Sequence, residues 1–425
     1  MNKVFVVIVF FAFIFAGFQQ ISQEFSPPSP MELLSTAMVD SAASAVELAI
    51  GLVGVMTLFL GLMKVVEEGG MLRILAKLIR PLMVRLFPDV PPDHPAMGAM
   101  ILNLSANALG LGNAATPFGI KAMQALDTLN PNKGTATNAM ALFLAINTSS
   151  VTLLPTGVIA LRAAAGSVDP AAILPTTLFA TIGSTLVAIL AARLFQRFSP
   201  GGSLDAAIQT DSLPLPGSDL SRVKDQGYPF WVSGLALVGL ISVIPVSVLF
   251  GASFSPWILP SLMVGFLLFG LVRGVKVYEV FVEGAKDGFQ VALRIIPYMV
   301  AILVAVGMLR ASGGLGMLVE LLGRVTVHFG LPPEALPMAL MRPLSGSGAY
   351  GIMASIINDP AIGPDSYTGL LVSTLQGSTE TSFYVMAVYC GAAGIRRIRH
   401  SLAAALTADL AGVIFAVMAC SLFLV

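Results

Sequence analysis

A polar run at residues 376–382 interrupts an otherwise apolar stretch of the sequence, and it contains the carboxylate of Glu380. The apolar arms beside it, residues 369–375 and 383–389, are each far shorter than the roughly 20 residues that a helix needs to cross a bilayer. A straight helix through this run would turn a carboxylate and several hydroxyls towards hydrocarbon, which is costly. We therefore expect the backbone to break here and to face protein or a wet cavity, as half of a solute site.

Glu380 is the residue of this run that could serve the largest number of chemical roles. A carboxylate among apolar arms can carry a proton, bind a cation or accept hydrogen bonds from a solute. The structural alternative is that Glu380 caps the N-terminus of a neighbouring half-helix. The residues expected to bind solute beside it are Gly377, Ser378, Thr379 and Thr381.

A second candidate motif, RPLSGSG at residues 342–348, combines an arginine with hydroxyls and small residues. Ser345, Gly346 and Ser347 offer hydroxyl and backbone N–H groups that suit a polar or anionic solute at the start of a half-helix. The alternative is a tight turn that allows close helix packing. Arg342 is expected to pair with Glu380 or with a solute carboxylate, or else to extend its charged end to the membrane interface.

The first half of the sequence contains a comparable pair of interrupted apolar stretches. Residues 100–117 predict a re-entrant hairpin, because their apolar pieces are too short to span a membrane. Residues 139–155 predict a second broken helix. The side chains expected to line this counterpart site are Asn103, Asn107, Asn113, Asn147, Thr148 and Ser149. Asparagines in membrane helices also serve as hydrogen-bonding links between helices, which is the alternative for each of them.

The composition indicates a multi-pass membrane protein. Of its 425 residues, 56% are hydrophobic and 11% are charged, whereas soluble domains have about 25% charged residues. The mean hydropathy is +0.87. The net charge of zero gives no electrostatic argument for a nucleic-acid partner. Cys390 and Cys420 lie in apolar surroundings without the spacing of metal ligands, and we expect them to be buried thiols.

The apolar stretches predict the helices that place these motifs in the bilayer. Residues 4–18 predict an uncleaved first helix, since no small-residue cleavage site follows them. Further spans are predicted at residues 46–65, 173–194, 230–250, 257–272, 291–309 and 402–425. Amphipathic helices are predicted at residues 71–85 and 313–329, and a charged cytoplasmic loop at residues 276–287.

The chain divides into two halves of similar size. Residues 199–229 are rich in Gly, Pro and Asp and predict a linker between domains at residues 1–198 and 230–425. The two halves repeat the same order of amphipathic helix, hairpin and broken helix. In the first half the basic residues lie on the amphipathic helix, and in the second half they follow the broken helix. The positive-inside rule then predicts two repeats of opposite orientation, as in many secondary transporters.

At these motifs the chain resembles spore maturation proteins A and B fused head to tail. Residues 1–198 resemble the A protein through HPAMG at residues 94–98, GLGNAATP at residues 110–117 and FLAINTSS at residues 143–150. Residues 230–425 resemble the B protein through FVEGAK at residues 281–286, RPLSGSG at residues 342–348 and GSTET at residues 377–381. Both proteins are similar to the nucleoside recognition or gate domain, which concentrative nucleoside transporters and B-type ferrous-iron transporters also contain.

The resemblance implies two gate-domain repeats and a site at their broken helices. In the nucleoside transporters a Gly-Gln-Thr-Glu hairpin binds the base. Gly377, Thr379 and Glu380 match that pattern, but Ser378 replaces the glutamine, and Thr152 replaces the glutamate in the first half. The resemblance therefore leaves the transported species open.

These observations together predict an all-α, multi-pass protein of the bacterial inner membrane. The favoured function is a secondary transporter or exporter of a small polar solute, coupled to a proton or a sodium ion. A non-transporting envelope scaffold or signalling partner is one alternative, and a metal-ion permease, suggested by the iron-transporter relatives, is another. The sequence allows a homo-oligomer without requiring one.

We expect no catalytic residue, cofactor or bound metal. The three histidines are scattered, and the sequence contains neither the H-E-x-x-H motif of zinc peptidases nor the G-x-x-x-x-G-K-[ST] motif that binds phosphates.

Overall fold

The computed structural model describes residues 2–22, 27–110, 112–199, 228–314, 316–317, 323–324, 326 and 327–423. Within these residues every secondary-structure element is a helix, apart from an isolated β-bridge between Thr135 and Arg397. The predicted all-α fold is therefore confirmed. Residues 200–227, which contain most of the predicted linker, lie outside the described residues.

The first half contains eight helices within the described residues. They are α1 (Asn2–Ser22), α2 (Pro30–Glu68), α3 (Met71–Leu86), α4 (Pro95–Ala108), α5 (Gly112–Thr128), α6 (Asn138–Thr148), α7 (Thr156–Ala164) and α8 (Ile173–Gln196). The predicted hairpin is the α4–α5 pair, and the predicted broken helix is the α6–α7 pair. Both predictions are confirmed, with arms longer than expected for the hairpin.

The second half repeats this order. Its helices are α9 (Phe230–Val272), α10 (Val277–Ala311), α11 (Leu336–Met341), α12 (Gly346–Ile357), α13 (Tyr367–Ser378), α14 (Ser382–Ala392) and α15 (Ser401–Phe423), with short 3-10 helices at Val327–Phe329 and Pro333–Ala335. The α11–α12 pair is the second hairpin, and the α13–α14 pair is the broken helix predicted around Glu380.

Hydroxyl side chains start several of the helices that carry the site. The hydroxyl of Thr137 accepts from Met140 N at 3.2 Å before α6, and that of Ser366 accepts from Gly369 N at 3.0 Å before α13. Each satisfies a backbone donor that has no partner inside the helix. The capping residue stands directly before the first turn of each broken helix, so the start of the helix is encoded locally.

The two long helices α2 and α10 pack antiparallel through glycines. A Cβ added at Gly61 would lie 2.8 Å from the Phe281 ring, and one added at Gly288 would lie 2.7 Å from the carbonyl oxygen of Met56. Gly307, near the other end of α10, contacts Ser41 on α2. Small residues let the two backbones approach closely, which is a common device between membrane helices.

The helices that follow the two broken helices also pack antiparallel. On α8 and α15, Ser184 Oγ donates to the carbonyl oxygen of Ala408 at 3.2 Å, and Phe179 lies edge-on to Phe415 and Phe423. Equivalent helices of the two halves therefore run in opposite directions, and the predicted inverted repeat is confirmed.

Each broken helix is held at its ends by a loop from the other half. Near the start of α6, Ala136 N donates to Arg397 O at 2.9 Å, and Arg399 Nη1 donates to Asn138 Oδ1 at 3.0 Å. At the end of α7, Arg162 Nη2 donates to Asp365 Oδ1 at 2.9 Å, just before α13 begins. We call these two sets of contacts the basic-end clasp and the opposite-end clasp.

Three helices of the described residues are long and apolar enough to cross a membrane: Phe5–Ser22, Ile173–Gln196 and Ser401–Phe423. They coincide with three of the predicted spans. The broken helices add shorter apolar segments, whose polar backbone must be satisfied by protein because lipid offers no hydrogen bonds.

Two predicted boundaries are wrong. Residues 230–250 and 257–272 were expected to be separate spans, but α9 is one helix of 43 residues. The backbone of residues 251–256 is helical, so its hydrogen bonds are met within the helix and no turn is required. Residues 276–287 were expected to form a loop, but α10 begins at Val277 and includes them. Part of the amphipathic helix predicted at residues 313–329 lies outside the described residues.

The close contact of α2 with α10 predicts a strong asymmetry between two glycines. In Gly288→Ala the new Cβ would meet backbone atoms of Met56 and Thr57 at 2.7 and 2.8 Å, which cannot move aside as a flexible side chain can. We expect a loss of about 1–3 kcal/mol in the free energy of unfolding, as for an overpacked core. The matched control is Gly54→Ala, where nothing lies within 4 Å. Equal thermal unfolding of the two variants in detergent would contradict this packing.

The loop before α15 predicts a dependence of stability on pH. His400 is 7% exposed, and burial together with the neighbouring Arg399 lowers its pKa to about 4. The folded protein then disfavours a protonated His400, so stability falls as the pH drops from the unfolded pKa of about 6.5 towards 4. His400→Gln should lose less thermal stability than wild type between about pH 7 and pH 5. His328→Gln, at an exposed position, should follow the wild type.

Candidate functional site

The two broken helices meet at their breaks. Glu380 N, in the break between α13 and α14, donates to the carbonyl oxygen of Thr148 at the end of α6, at 2.8 Å. Gly377 packs against Thr177 on α8 and Pro155 before α7, at 2.8 and 3.4 Å from the position of an added Cβ. The polar runs of both halves therefore form one centre, as their sequences predicted.

Arg342 holds the second break together. It lies at the tip of the α11–α12 hairpin and is 7% exposed. Its Nε donates to the carbonyl oxygen of Gln376 at 3.2 Å, its Nη1 donates to Thr381 Oγ1 at 3.1 Å, and its Nη2 donates to the carbonyl oxygen of Thr379. Both carbonyls belong to the end of α13, where the helix leaves them without intrahelical partners. A guanidinium suits this task because its donors form a rigid planar fork.

Arg342 also pairs with Glu380, which is one of the predicted alternatives. The distance from Nη2 to Glu380 Oε2 is 3.7 Å, and the Glu380 side chain is 47% exposed while that of Arg342 is 8% exposed. Arg342 is thus buried and does not extend to the membrane interface. The carboxylate of Glu380 is therefore accessible, whereas the guanidinium of Arg342 is enclosed by protein.

The start of α12 lies against the same break. Ser345 Oγ accepts from Gly348 N at 3.0 Å and so caps the helix. Gly346 packs against Thr381, whose Oγ1 lies 2.8 Å from the position of an added Cβ. Ser345, Gly346 and Ser347 are each partly exposed. The motif is therefore both a tight packing turn and an open polar edge beside Glu380.

The first hairpin touches the first break in the equivalent way. Leu153 N donates to the carbonyl oxygen of Ala108 at 2.8 Å, and Gly110, with a φ of 75°, packs against the carbonyl group of Leu154. A side chain at position 110 would be strained by this φ and would collide with the break. Each hairpin tip thus supports the break of its own half.

The polar side chains of the first half bond to one another and to backbone carbonyl groups of α6. Asn107 Nδ2 donates to Asn147 Oδ1 at 3.0 Å and to Ser150 Oγ at 3.3 Å. Thr148 and Ser149 donate their hydroxyl protons to the carbonyl oxygen of Ala145, at 2.8 and 3.0 Å. These three positions, Asn147, Thr148 and Ser149, are buried, whereas Asn107 is partly exposed.

Asn103 lies away from the breaks and links helices. Its Nδ2 donates to the carbonyl oxygen of Ala115 at 2.8 Å and to Tyr389 Oη at 3.1 Å, which joins α4 to α5 and α14. This is the alternative role predicted for membrane asparagines. The side chain of Asn113 lies outside the described residues.

The predicted site residues therefore separate into open and enclosed groups. Glu380, Ser345, Ser347 and Asn107 have partly exposed side chains. Ser378, Thr379 and Thr381 are buried, and Ser378 Oγ donates to the carbonyl oxygen of Leu375 at 3.0 Å. The hydroxyls of Ser378 and Thr381 are therefore already engaged, the second by Arg342.

Sequence reasoning did not single out two charged residues that the fold buries. Asp409, in the middle of α15, is 5% exposed and accepts a hydrogen bond from Ser382 Oγ at 2.6 Å. Arg162 is fully buried in the opposite-end clasp. The available signal was a lone charge within or next to an apolar helix, which is a functional-site hypothesis by default.

A cavity of about 690 Å³ lies between α2, α7, α10 and α12. Its charged lining residues are Asp40, Glu47 and Arg310, and none of the predicted site residues lines it. Tyr350 on α12 packs against Gly157 on α7, nearer to the two breaks than the cavity is. The cavity is thus at the end of α7 that carries the opposite-end clasp, and the α7–α12 contact separates it from Glu380.

Fold and site together define a polytopic membrane protein with two inverted repeats, whose broken helices and hairpin tips enclose one polar centre. Within the residues that the structure describes, no three His, Cys, Asp or Glu side chains are grouped to hold a metal ion. Cys390 and Cys420 are free and buried.

A protein-family model described as "Gate: Nucleoside recognition" matches residues 49–165 and 292–396, which is more than half of the chain. The chain belongs to this gate, or nucleoside recognition, family. The matched segments contain both hairpins and both broken helices, so the family match covers the whole of the polar centre.

Curated relatives agree with this assignment. The chain is 47% identical over 162 residues to spore maturation protein A of Bacillus subtilis, covering 38% of this chain and 83% of the relative. It is 43% identical over 160 residues to spore maturation protein B of the same organism, covering 38% of this chain and 89% of the relative. It is 31% identical over 97 residues to the inner membrane protein YjiG of Escherichia coli, covering 23% of this chain and 63% of that protein. The chain is thus a multi-pass protein of the bacterial inner membrane.

The contacts of Arg342 predict that its geometry matters as well as its charge. Arg342→Lys keeps a cation but loses the planar fork that reaches two carbonyls and a hydroxyl. We expect a loss of about 2–4 kcal/mol in the free energy of unfolding, since hydrogen bonds to charged groups contribute more than neutral ones. Arg397→Lys, at an exposed position, is the matched control and should change stability by less than about 0.5 kcal/mol. An Arg342→Lys variant as stable as this control would refute the assigned role.

Proposed function

We propose that this protein is a secondary transporter of a small polar solute, which binds where the two broken helices meet. The observation that carries the proposal is the half-exposed carboxylate of Glu380 beside the enclosed guanidinium of Arg342, at a distance of 3.7 Å. Inverted repeats with paired discontinuous helices are the usual plan of secondary transporters, with solute sites near the membrane midplane.

The chemistry of the open group indicates which solutes fit. An ionised carboxylate only accepts hydrogen bonds, so the solute should offer N–H or O–H donors, or a cationic amine, to Glu380. Ser345, Ser347 and Asn107 add groups that both donate and accept. Nucleosides carry such donors on base and sugar, and the description of the family as nucleoside recognition makes them the first class to test.

The two clasps support a cycle in which the site opens to either side of the membrane. Each clasp joins one end of a broken helix to the other half of the chain, the basic-end clasp through Arg399 and the opposite-end clasp through Arg162. Opening one clasp while the other stays closed would expose the centre to one side at a time. In this proposal a proton or a sodium ion drives the cycle, and the protein has no catalytic role.

The proposal includes the domain organisation of the sequence. Residues 1–198 would be an A-like half and residues 230–425 a B-like half, joined by a linker at residues 199–229. In this organisation each half supplies one hairpin and one broken helix, so a complete site needs both halves. Separate A and B proteins would then have to associate to form the same centre.

A panel of compounds tests the proposal and identifies the class of solute at the same time. Purified protein is heated in the presence of nucleosides, amino acids, dicarboxylates or divalent metals, and its unfolding temperature is measured. A compound that binds the folded state stabilises it by about 2.7 kcal/mol at a hundredfold excess over its Kd. Compounds that stabilise the protein are then tested for uptake into proteoliposomes.

Substitution of Glu380 provides the specific prediction. Glu380→Gln removes the charge but keeps the shape, so the stabilising compound should lose at least about 1.5 kcal/mol of binding free energy, the lower range for a hydrogen bond to a charged group. Uptake of that compound should fall as well, while the unfolding temperature without ligand should stay close to that of wild type. Glu334→Gln, at an exposed position in the same half, is the matched control and should retain both binding and uptake.

Other outcomes would favour the alternatives. Stabilisation by divalent metals alone, lost in Glu380→Gln, would favour the metal-ion permease. Absence of stabilisation and uptake for every class would overturn the transport proposal and favour an envelope scaffold or signalling partner.

A further inference from the structure

Asp409 is a carboxylate enclosed within a membrane-spanning helix. It lies near the middle of α15, one of the three described helices that are apolar and long enough to span the bilayer. The residue is 5% exposed. An ionised carboxylate at such a position is expensive unless a cation or several donors compensate it.

The partners of Asp409 are incomplete for an ionised carboxylate. Its Oδ2 accepts from Ser382 Oγ at 2.6 Å, but its Oδ1 is buried without a hydrogen-bond partner among the described residues. A carboxylate has about four acceptor positions, and one hydroxyl fills only one of them. A proton on the second oxygen would remove the charge that this enclosed pocket leaves uncompensated.

Asp409 is next to the break that carries Glu380. Ser382, its partner, is the first residue of α14, and Gly412, one turn after Asp409 on α15, packs directly against Thr379. Asp409 and Gly412 are three residues apart and therefore lie on the same face of the helix. The second break and the surroundings of Asp409 are thus in direct contact.

Arg342 is linked to Asp409 through the break, because its Nη1 donates to Thr381 Oγ1 and Thr381 directly precedes Ser382, the partner of Asp409. The helices packed against α15 add few other titratable groups: α6 has none, α8 has Arg193 in its last turn, α13 has Tyr367 in its first turn, and α14 has Tyr384, Tyr389 and Cys390. Arg342 already donates to the break and lies 3.7 Å from Glu380. Arg342 is therefore an enclosed cation that contacts Glu380 directly and Asp409 by way of Thr381 and Ser382.

We propose that Asp409 is the proton-carrying carboxyl of this protein, protonated in the state described here and deprotonated in another state of the transport cycle. The proton on Oδ1 is transferred to water that enters when the break opens. The carboxylate left behind is then compensated by Arg342, once a bound solute or the opened break has changed the contact between Arg342 and Glu380. This inference rests on the proposed transport function, and it names the coupling ion as a proton.

Infrared spectroscopy of the purified full-length protein tests the protonation directly and needs no solute. We expect the C=O stretching band of a protonated carboxyl at neutral pH, in a buffer with choline as the cation. The band should shift in D2O, and it should be lost in Asp409→Asn. Asparagine keeps an acceptor for Ser382, so the variant should fold. Asp93→Asn, which removes a carboxylate that is 89% exposed, is the matched control and should keep the band.

Several results would overturn the proposal. A wild-type protein without the band, or a band that persists in Asp409→Asn, would exclude a protonated Asp409. A carboxylate band that changes when sodium replaces choline, and only while Asp409 is present, would assign the residue to a sodium ion instead. If Asp409→Asn does not fold, a wild-type protein without the band still overturns the proposal.

Uptake into proteoliposomes separates this inference from the proposed function. For a compound that the wild type transports, an imposed pH gradient should accelerate uptake, and Asp409→Asn should lose that response while it still exchanges solute at equal pH. Unchanged acceleration in Asp409→Asn would overturn the proton-carrying role and leave the transport function standing. Failure of every compound in the panel would overturn the transport function, whereas the infrared band would still decide the protonation of Asp409.

Discussion

The structure depends on hydrogen-bond partners for the backbone groups at the breaks of two helices, in surroundings without water. Where a helix ends inside a membrane, its terminal carbonyl and N–H groups have no lipid partner, and each unpaired group is costly. Arg342 binds two carbonyls at the end of α13. Glu380 N binds Thr148 O, Leu153 N binds Ala108 O, and Phe383 N binds the carbonyl oxygen of Pro343 at 3.1 Å. The hairpins thus satisfy the breaks, and neither element would be stable at that depth alone.

The same requirement explains why the two halves are interdependent. The first break provides an acceptor for the second, and each clasp joins a loop of one half to a broken helix of the other. Glycines let the backbones approach closely where α2 packs on α10 and where the hairpins meet the breaks. Close approach and polar pairing, rather than hydrophobic burial, hold helices together in a lipid environment.

The polar centre combines a fixed part with an open part. Buried hydroxyls and Arg342 satisfy the backbone and set the shape of the breaks, whereas Glu380 stays half exposed. Asp409 lies behind the second break, on the side of α15. If this arrangement transports a solute, binding at Glu380 and proton release at Asp409 would be linked through Arg342, which contacts Glu380 directly and Asp409 by way of Thr381 and Ser382.

The sequence by itself determined the membrane class, the positions of the broken helices, the α4–α5 hairpin and the opposite orientation of the halves. These follow from local properties, namely the length of apolar runs, polar interruptions such as residues 376–382, and the distribution of arginines. The tertiary structure decided which polar groups face a partner and which stay open, because that depends on residues far apart in the chain. Asn103 and Asn107 look alike in sequence, yet one links helices through Tyr389 and the other is partly open near the first break. Hydropathy averages the lone carboxyl of Asp409 into its span, and only packing against Ser382 reveals its enclosure.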